Sequence, residues 1–120
     1  VKQIRLDFKK LELDGPRHGR CSGDNLRVTR KAMGHTHEVD VSPLLCGDNS
    51  GQHVYVDMDE DDSEVFVHML LGSEASVHEV VPLRQWSILV TQLDDNNRAP
   101  KKCLQYFKEK SNKIRSLNYD

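Results

Sequence analysis

Leu45-Cys46-Gly47-Asp48-Asn49-Ser50-Gly51-Gln52-His53-Val54-Tyr55-Val56-Asp57 runs from a cysteine through a turn and into a strand without a break. Glycine supplies a positive φ at no steric cost, and Asp and Asn close short turns on their own backbone, so residues 47–51 read as a tight turn. Beyond it, Val54 and Val56 point to one face while His53, Tyr55 and Asp57 point to the other, the period of a half-buried strand. A cysteine anchor, a turn and a strand in succession point to a small extracellular β domain.

The flanking chain has the same grammar. In residues 2–13, Ile4, Leu6 and Phe8 alternate with Arg5, Asp7 and Lys9, and Leu11 and Leu13 then resume on the other face. A one-residue change of face is what a β-bulge or strand corner produces. Asp14-Gly15-Pro16 stops this strand, 14–24 is a polar loop, and Asn25 to Thr29 is a short strand with Leu26 and Val28 inward. Residues 30–42 show no period and read as a loop. Val65 to Leu71 is apolar on both faces and is expected as a central strand. Trp86, Ile88 and Val90 alternate with Ser87, Leu89 and Thr91, so Trp86 is expected to plug the core. Asp94-Asp95-Asn96-Asn97 breaks the pattern and Ala99-Pro100 marks a boundary. No segment carries a sustained helical stripe, which makes the fold class all-β, a sandwich or jelly roll.

The whole chain has 120 residues, enough for one domain, and carries a net charge of −2. No run approaches the roughly 18 apolar residues of a membrane span. Val1 leads directly into a charged strand with no signal peptide in view, so the chain reads as a mature or excised fragment. Basic residues concentrate at Lys101, Lys102, Lys108, Lys110, Lys113 and Arg115, at one end of a mildly acidic chain with few aromatics. Nucleic-acid domains are usually basic overall with stacking platforms, so no nucleic-acid partner is expected. The three cysteines, Cys21, Cys46 and Cys103, form no C-x-x-C pair, which leaves zinc and thioredoxin-type chemistry without support. An odd count leaves one thiol free or paired outside the chain. Turn-rich β patterning favours the oxidised state over three reduced thiols in a cytosolic protein.

Ile-Arg-Leu-Asp-Phe (4–8), Cys21-x-x-Asp24, the stretch 45–57, Trp-Ser-Ile-Leu-Val-Thr-Gln (86–92) and Arg-Ala-Pro-Lys-Lys-Cys-Leu-Gln-Tyr-Phe (98–107) occur in order along nearly the whole chain. Together they resemble CUB domains, in particular the secreted CUB-domain proteins of arthropods and other invertebrates. The resemblance implies a truncated CUB-type antiparallel jelly roll over 1–97, lacking its N-terminal strand or strands. It also implies that 98–120 is a linker and the opening of a second CUB-like unit. It further implies secretion, a Cys21–Cys46 disulfide and a Cys103 without a partner, because the family's outer cysteines fall where this chain has Lys2 and Asp95. Many CUB domains hold Ca²⁺ on three acids, which correspond here to Asp14, Asp24 and Glu74, and use the site to seat a basic group of a protein partner. Asp14 and Glu74 are each exchanged between Asp and Glu relative to that pattern.

Three other constellations carry less. Asp57 to Glu64 is acidic like an EF-hand loop, but its sixth position is Asp62 rather than Gly and its twelfth is His68 rather than Glu, so it reads as a solvated turn. Gly47 to Gly51 echoes a serine-protease nucleophile stretch with an extra Asn49, in a chain too short for that fold. His35-x-His37-Glu38 offers two imidazoles without a third ligand, and ordinary loop polarity is the better reading. The expected function is a non-catalytic extracellular module binding a protein or glycan, with calcium dependence as one form of it. The alternative is an accessory domain that positions substrate for a secreted protease.

Overall fold

The computed structural model describes residues 1–32, 34, 36–58, 64–72 and 84–118. Six strands form: β1 (Gln3–Glu12), β2 (Asn25–Lys31), β3 (Val39–Asp40), β4 (His53–Asp57), β5 (Glu64–Leu70) and β6 (Gln85–Leu93). They make two antiparallel three-stranded sheets, β4-β1-β6 and β3-β2-β5. No helix occurs among the described residues. The expected all-β sandwich is what forms.

The strand pleat explains how the sheets close on each other. Leu6, Phe8 and Leu11 of β1 and Val54 and Val56 of β4 join Leu26 and Val28 of β2 in one buried cluster, which Leu13, Leu45 and Met58 extend from the connections. The change of face read between Phe8 and Leu11 is a bulge: Phe8 pairs with Ile88 and Lys10 with Ser87, leaving Lys9 as the extra residue. Leu6, Phe8 and Leu11 thereby all reach the core. The turn after Cys46 has the expected chemistry, with φ of 77° at Gly47 and 83° at Gly51, and Asp48 Oδ1 accepting the Ser50 N–H at 3.0 Å.

Four local expectations are corrected. The run Val65–Leu71 is not central: β5 pairs with β2 alone among the described residues. Its Val67 and Met69 stand opposite the buried Val28 and Leu26, whereas Phe66 and His68 belong to the outward face and stack at 6.0 Å. Only Val65 and Met69 of this strand pack on the core, while Val67 is exposed and Phe66 half-buried. Trp86 stands opposite Leu11 on the core side of β6 yet is 48 % exposed, so it rims the sandwich rather than plugging it. The loop 30–42 contains β3, which pairs Val39 with Arg30 and Asp40 with Thr29. Finally, β4 is buried on both faces rather than one.

The second cover on β4 is the C-terminal segment. The part of 98–120 that is described packs back on the sandwich rather than away from it. At its start, Gln3 and Ala99 exchange bonds: the Ala99 N–H donates to Gln3 Oε1 at 2.8 Å and Gln3 Nε2 donates to the Ala99 carbonyl at 3.3 Å. Along β4, the Tyr55 N–H donates to the Leu104 carbonyl at 2.8 Å and Gln105 Nε2 donates to the His53 carbonyl at 3.0 Å. At its end, Asn118 binds Asn49 and the backbone of Leu44 and Cys46.

Candidate functional site

Two depressions concentrate the polar chemistry. The first lies where the connection after β1, the start of β2 and the flanks of β5 and β6 meet, a cleft of about 480 Å³ lined by Asp14, Arg17, Gly23, Gly72 and Arg84 among others. The Cys21–Cys46 disulfide braces it, joining the loop before β2 to the turn before β4 with a Cα–Cα distance of 5.7 Å. Cys103 stays free and half-buried. Asp14 Oδ2 stands 2.7 Å from where a Cβ on Gly23 would sit, so the Cys-Ser-Gly-Asp stretch needs glycine for Asp14 to approach.

Asp24 is the hub and is fully buried. Its Oδ1 accepts the Gly72 N–H at 2.7 Å. Its Oδ2 accepts the Asp14 N–H at 2.9 Å and Arg84 Nε at 2.6 Å. Arg84 Nη2 also donates to the Gly72 carbonyl at 2.8 Å, so one guanidinium ties β6 to the end of β5 and the start of β2. Burial pushes the Asp24 carboxyl up, but Arg84 and the two backbone N–H groups outweigh it and hold the group below the usual carboxylate range. The same ion pair raises Arg84.

Of the three acids expected to hold calcium, Asp14 and Asp24 are brought together and Glu74 lies outside the described residues. Ca²⁺ requires about six to eight oxygen ligands with free lone pairs. Both oxygens of Asp24 instead receive N–H donors, and Asp14 Oδ2 receives Arg17 Nη2 at 3.1 Å. In this arrangement the Asp24 oxygens are engaged by Arg84 and two backbone N–H groups. A cation already sits on Asp24, and it belongs to the chain. Arg84 carries no motif of its own; the signal available in the sequence was only a buried-type aspartate beside a cysteine, a group that needs a partner.

The second depression, about 530 Å³, lies between Arg5 of β1, the turn before β4 and the C-terminal segment, and is lined by His53, Tyr106, Lys108, Lys113 and Arg115 among others. His53 Nε2 accepts the Tyr106 N–H at 3.1 Å, and the ring meets Tyr55 and Phe107 edge to face at 5.4 and 5.0 Å. Burial, then the charge of Arg5, keeps its pKa below the ordinary histidine value. Arg5 itself is held by Asp7 in a forked pair at 2.8–3.0 Å and by the Tyr55 hydroxyl.

A third cluster was missed by sequence reasoning. Thr29 Oγ1 donates to Glu38 Oε1 at 2.6 Å, and His68 Nε2 lies 2.9 Å from that oxygen and 3.2 Å from Thr29 Oγ1. The Thr29 hydroxyl, then His68, lower the Glu38 carboxyl. A nucleophile relay needs the imidazole between hydroxyl and carboxylate, one nitrogen to each. Here one nitrogen faces both, and the hydroxyl gives its proton directly to the carboxylate. The cluster fastens β2, the segment before β3 and β5 together. His35 and residues 59–63 of the acidic stretch lie outside the described residues, and no group of three or more metal-ligating side chains occurs among those described. Likewise, no helix among the described residues is long and apolar enough to cross a membrane.

Compared with protein-family models, curated proteins and solved structures, the chain matches none.

Proposed function

We propose that this chain is a non-catalytic, extracellular binding module of CUB type, working through the loops of a disulfide-braced β-sandwich. The observation that carries the reading is the cleft around Asp24. A covalent bridge, a buried carboxylate and an internal arginine fix three connections relative to one another, which is what a loop-borne recognition surface needs from its scaffold. The spacing of the motifs quoted above supports the CUB assignment. The Thr29–Glu38–His68 geometry supports the absence of nucleophilic catalysis at that cluster.

In this reading the module binds without calcium, because Arg84 supplies the positive charge that a metal would bring to Asp24. The partner is an extracellular protein or glycan.

The test uses oxidised protein immobilised on a sensor surface and challenged with a secreted-protein mixture, with reduced and alkylated protein alongside. Capture by the oxidised form alone, unchanged by EDTA, is the expected result. Equal capture by both forms, or three titratable thiols in the native protein, would sink the extracellular module. Capture abolished by EDTA would restore the metal-dependent form, in which Arg84 must leave Asp24.

A further inference from the structure

Most of the basic residues that concentrate near the C-terminus in the sequence line two depressions in the fold. The 530 Å³ depression holds Lys108, Lys113 and Arg115. A neighbouring depression of about 470 Å³ holds Arg98, Lys101 and Lys108. Tyr106 and Lys108 line both, so the two depressions adjoin along the C-terminal segment, and together they are called the trough. The lining also holds two acids, Glu109 and Asp95, but the lysines and arginines outnumber them, which leaves a net-positive strip on a chain of net charge −2.

Not every cation in the strip is available. Arg5 is committed to Asp7, and Arg98 lies 2.9 Å from Asp57 and 3.9 Å from Asp95. Lys101, Lys108 and Lys113 make no ion pair among the described residues and are exposed. These are compact ammonium charges on flexible stems, suited to singly placed sulfate or carboxylate groups rather than to a planar fork. Asn112 adds an exposed amide group, and Tyr106 offers an exposed aromatic ring where the two halves join.

We infer that this trough binds a linear, sulfated, acidic polysaccharide. The inference deepens the extracellular reading above and rests on it. Spaced lysines match anionic groups repeated along a chain, two adjoining depressions match a polymer rather than a single small molecule, and an exposed aromatic ring suits a sugar face. A single-stranded nucleic acid would call for successive stacking rings, and the trough's exposed aromatic surface is one tyrosine.

The experiment is calorimetric titration of the oxidised full chain with a heparin-derived octasaccharide, its desulfated counterpart, and single-stranded DNA of matched charge. Binding of the sulfated sugar should weaken steadily with added salt, as counterion release requires. The Lys108→Ala/Lys113→Ala variant should lose about tenfold in affinity, whereas Arg27→Ala/Lys31→Ala on the other sheet should lose little. Both variants must keep the native melting temperature, which removes misfolding as an explanation. No binding of the sulfated sugar, equal loss in both variants, or DNA binding as tightly as the sugar would overturn the inference. The thiol count separates its failure from that of the extracellular reading: a free-thiol count of one with no sugar bound rejects the trough alone.

Discussion

Strands β4 and β6 flank the same strand, β1, and both alternate in sequence, yet they end in opposite environments. Every residue of β4 except Asp57 is buried. On β6, the core-side Trp86 and Val90 are 48 % and 56 % exposed. Register does not separate them, since Val54 and Val90 both stand opposite the buried Leu6. The difference is cover. Residues 98–118 lie across β4 and supply hydrogen bonds to its outer edge, whereas β6 is paired on one side only among the described residues. Alternation therefore tells which way a side chain points, and cover at the strand's outer edge decides whether it is dry.

The largest break in this comparison comes from one substitution made at two places. Val54→Asp puts an unpaired charge in the core at a cost of several kcal/mol, a large share of a typical domain's stability of about 5–15 kcal/mol. Urea denaturation should find Val54→Asp unfolded or barely folded, while Val90→Asp stays within about 0.5 kcal/mol of the parent. Equal losses would mean that β6 is as dry as β4.

Next in size is the bridge. Replacing Cys21 and Cys46 with serine opens a loop whose ends are 25 residues apart and should lower stability by about 3 kcal/mol in the same denaturation experiment. Its effect on hydrogen exchange should be greatest near Asp24 rather than at β6.

The cover on β4 should also yield to acid. His53 can accept the Tyr106 N–H only while Nε2 is unprotonated. The charges around it are those of Arg5, Asp7 and Glu109. Because burial depresses its folded pKa, its contribution is complete at pH above the ordinary value of 6.5 and falls as pH drops through it. Amide protection over 98–118, corrected for the intrinsic exchange rate at each pH, should fall as pH drops below about 6.5, with His53→Gln removing the dependence. A second loss begins at lower pH. Asp24 and Asp57 have depressed folded values, so their contributions are present above about 3.8 and disappear as pH falls further. A stability profile flat from pH 7 to 3 would contradict both. The smallest effect is expected for Val90→Lys, which should leave stability within about 0.5 kcal/mol but reduce self-association at high concentration, since β6 is a long edge strand without a charged residue.

Much of this architecture was legible because it depends on local chemistry. The turn at Gly47–Gly51, the bulge after Phe8 and the alternation of β1, β4 and β6 follow from neighbours in sequence. The cysteine bridge was legible through motif resemblance, not through spacing. What escaped depends on distant closure. Nothing in Gln105 or Asn118 announces that they fasten the C-terminal segment to β4 and to the turn before it, because they bond through amides rather than through a periodic apolar face. Arg84 could be placed on Asp24 only once the two sheets had been packed together. Val65–Leu71 misled because a strand paired on one side only among the described residues leaves Val67 and Leu70 exposed whatever their apolar character.

The anchoring of Asn118 has a mechanical consequence. Its side chain and backbone are bonded to Leu44, Cys46 and Asn49, so tension applied to the C-terminal segment reaches Cys46 through amide bonds and passes from there into a covalent loop. Residues between Cys21 and Cys46, which would otherwise lengthen by about 85 Å at roughly 3.4 Å per residue, stay out of the extending chain until the bridge is reduced. Under load, the amide cluster gives way first and the Asp24 cleft is shielded behind the sulfur bridge, so the redox state sets how far the domain stretches.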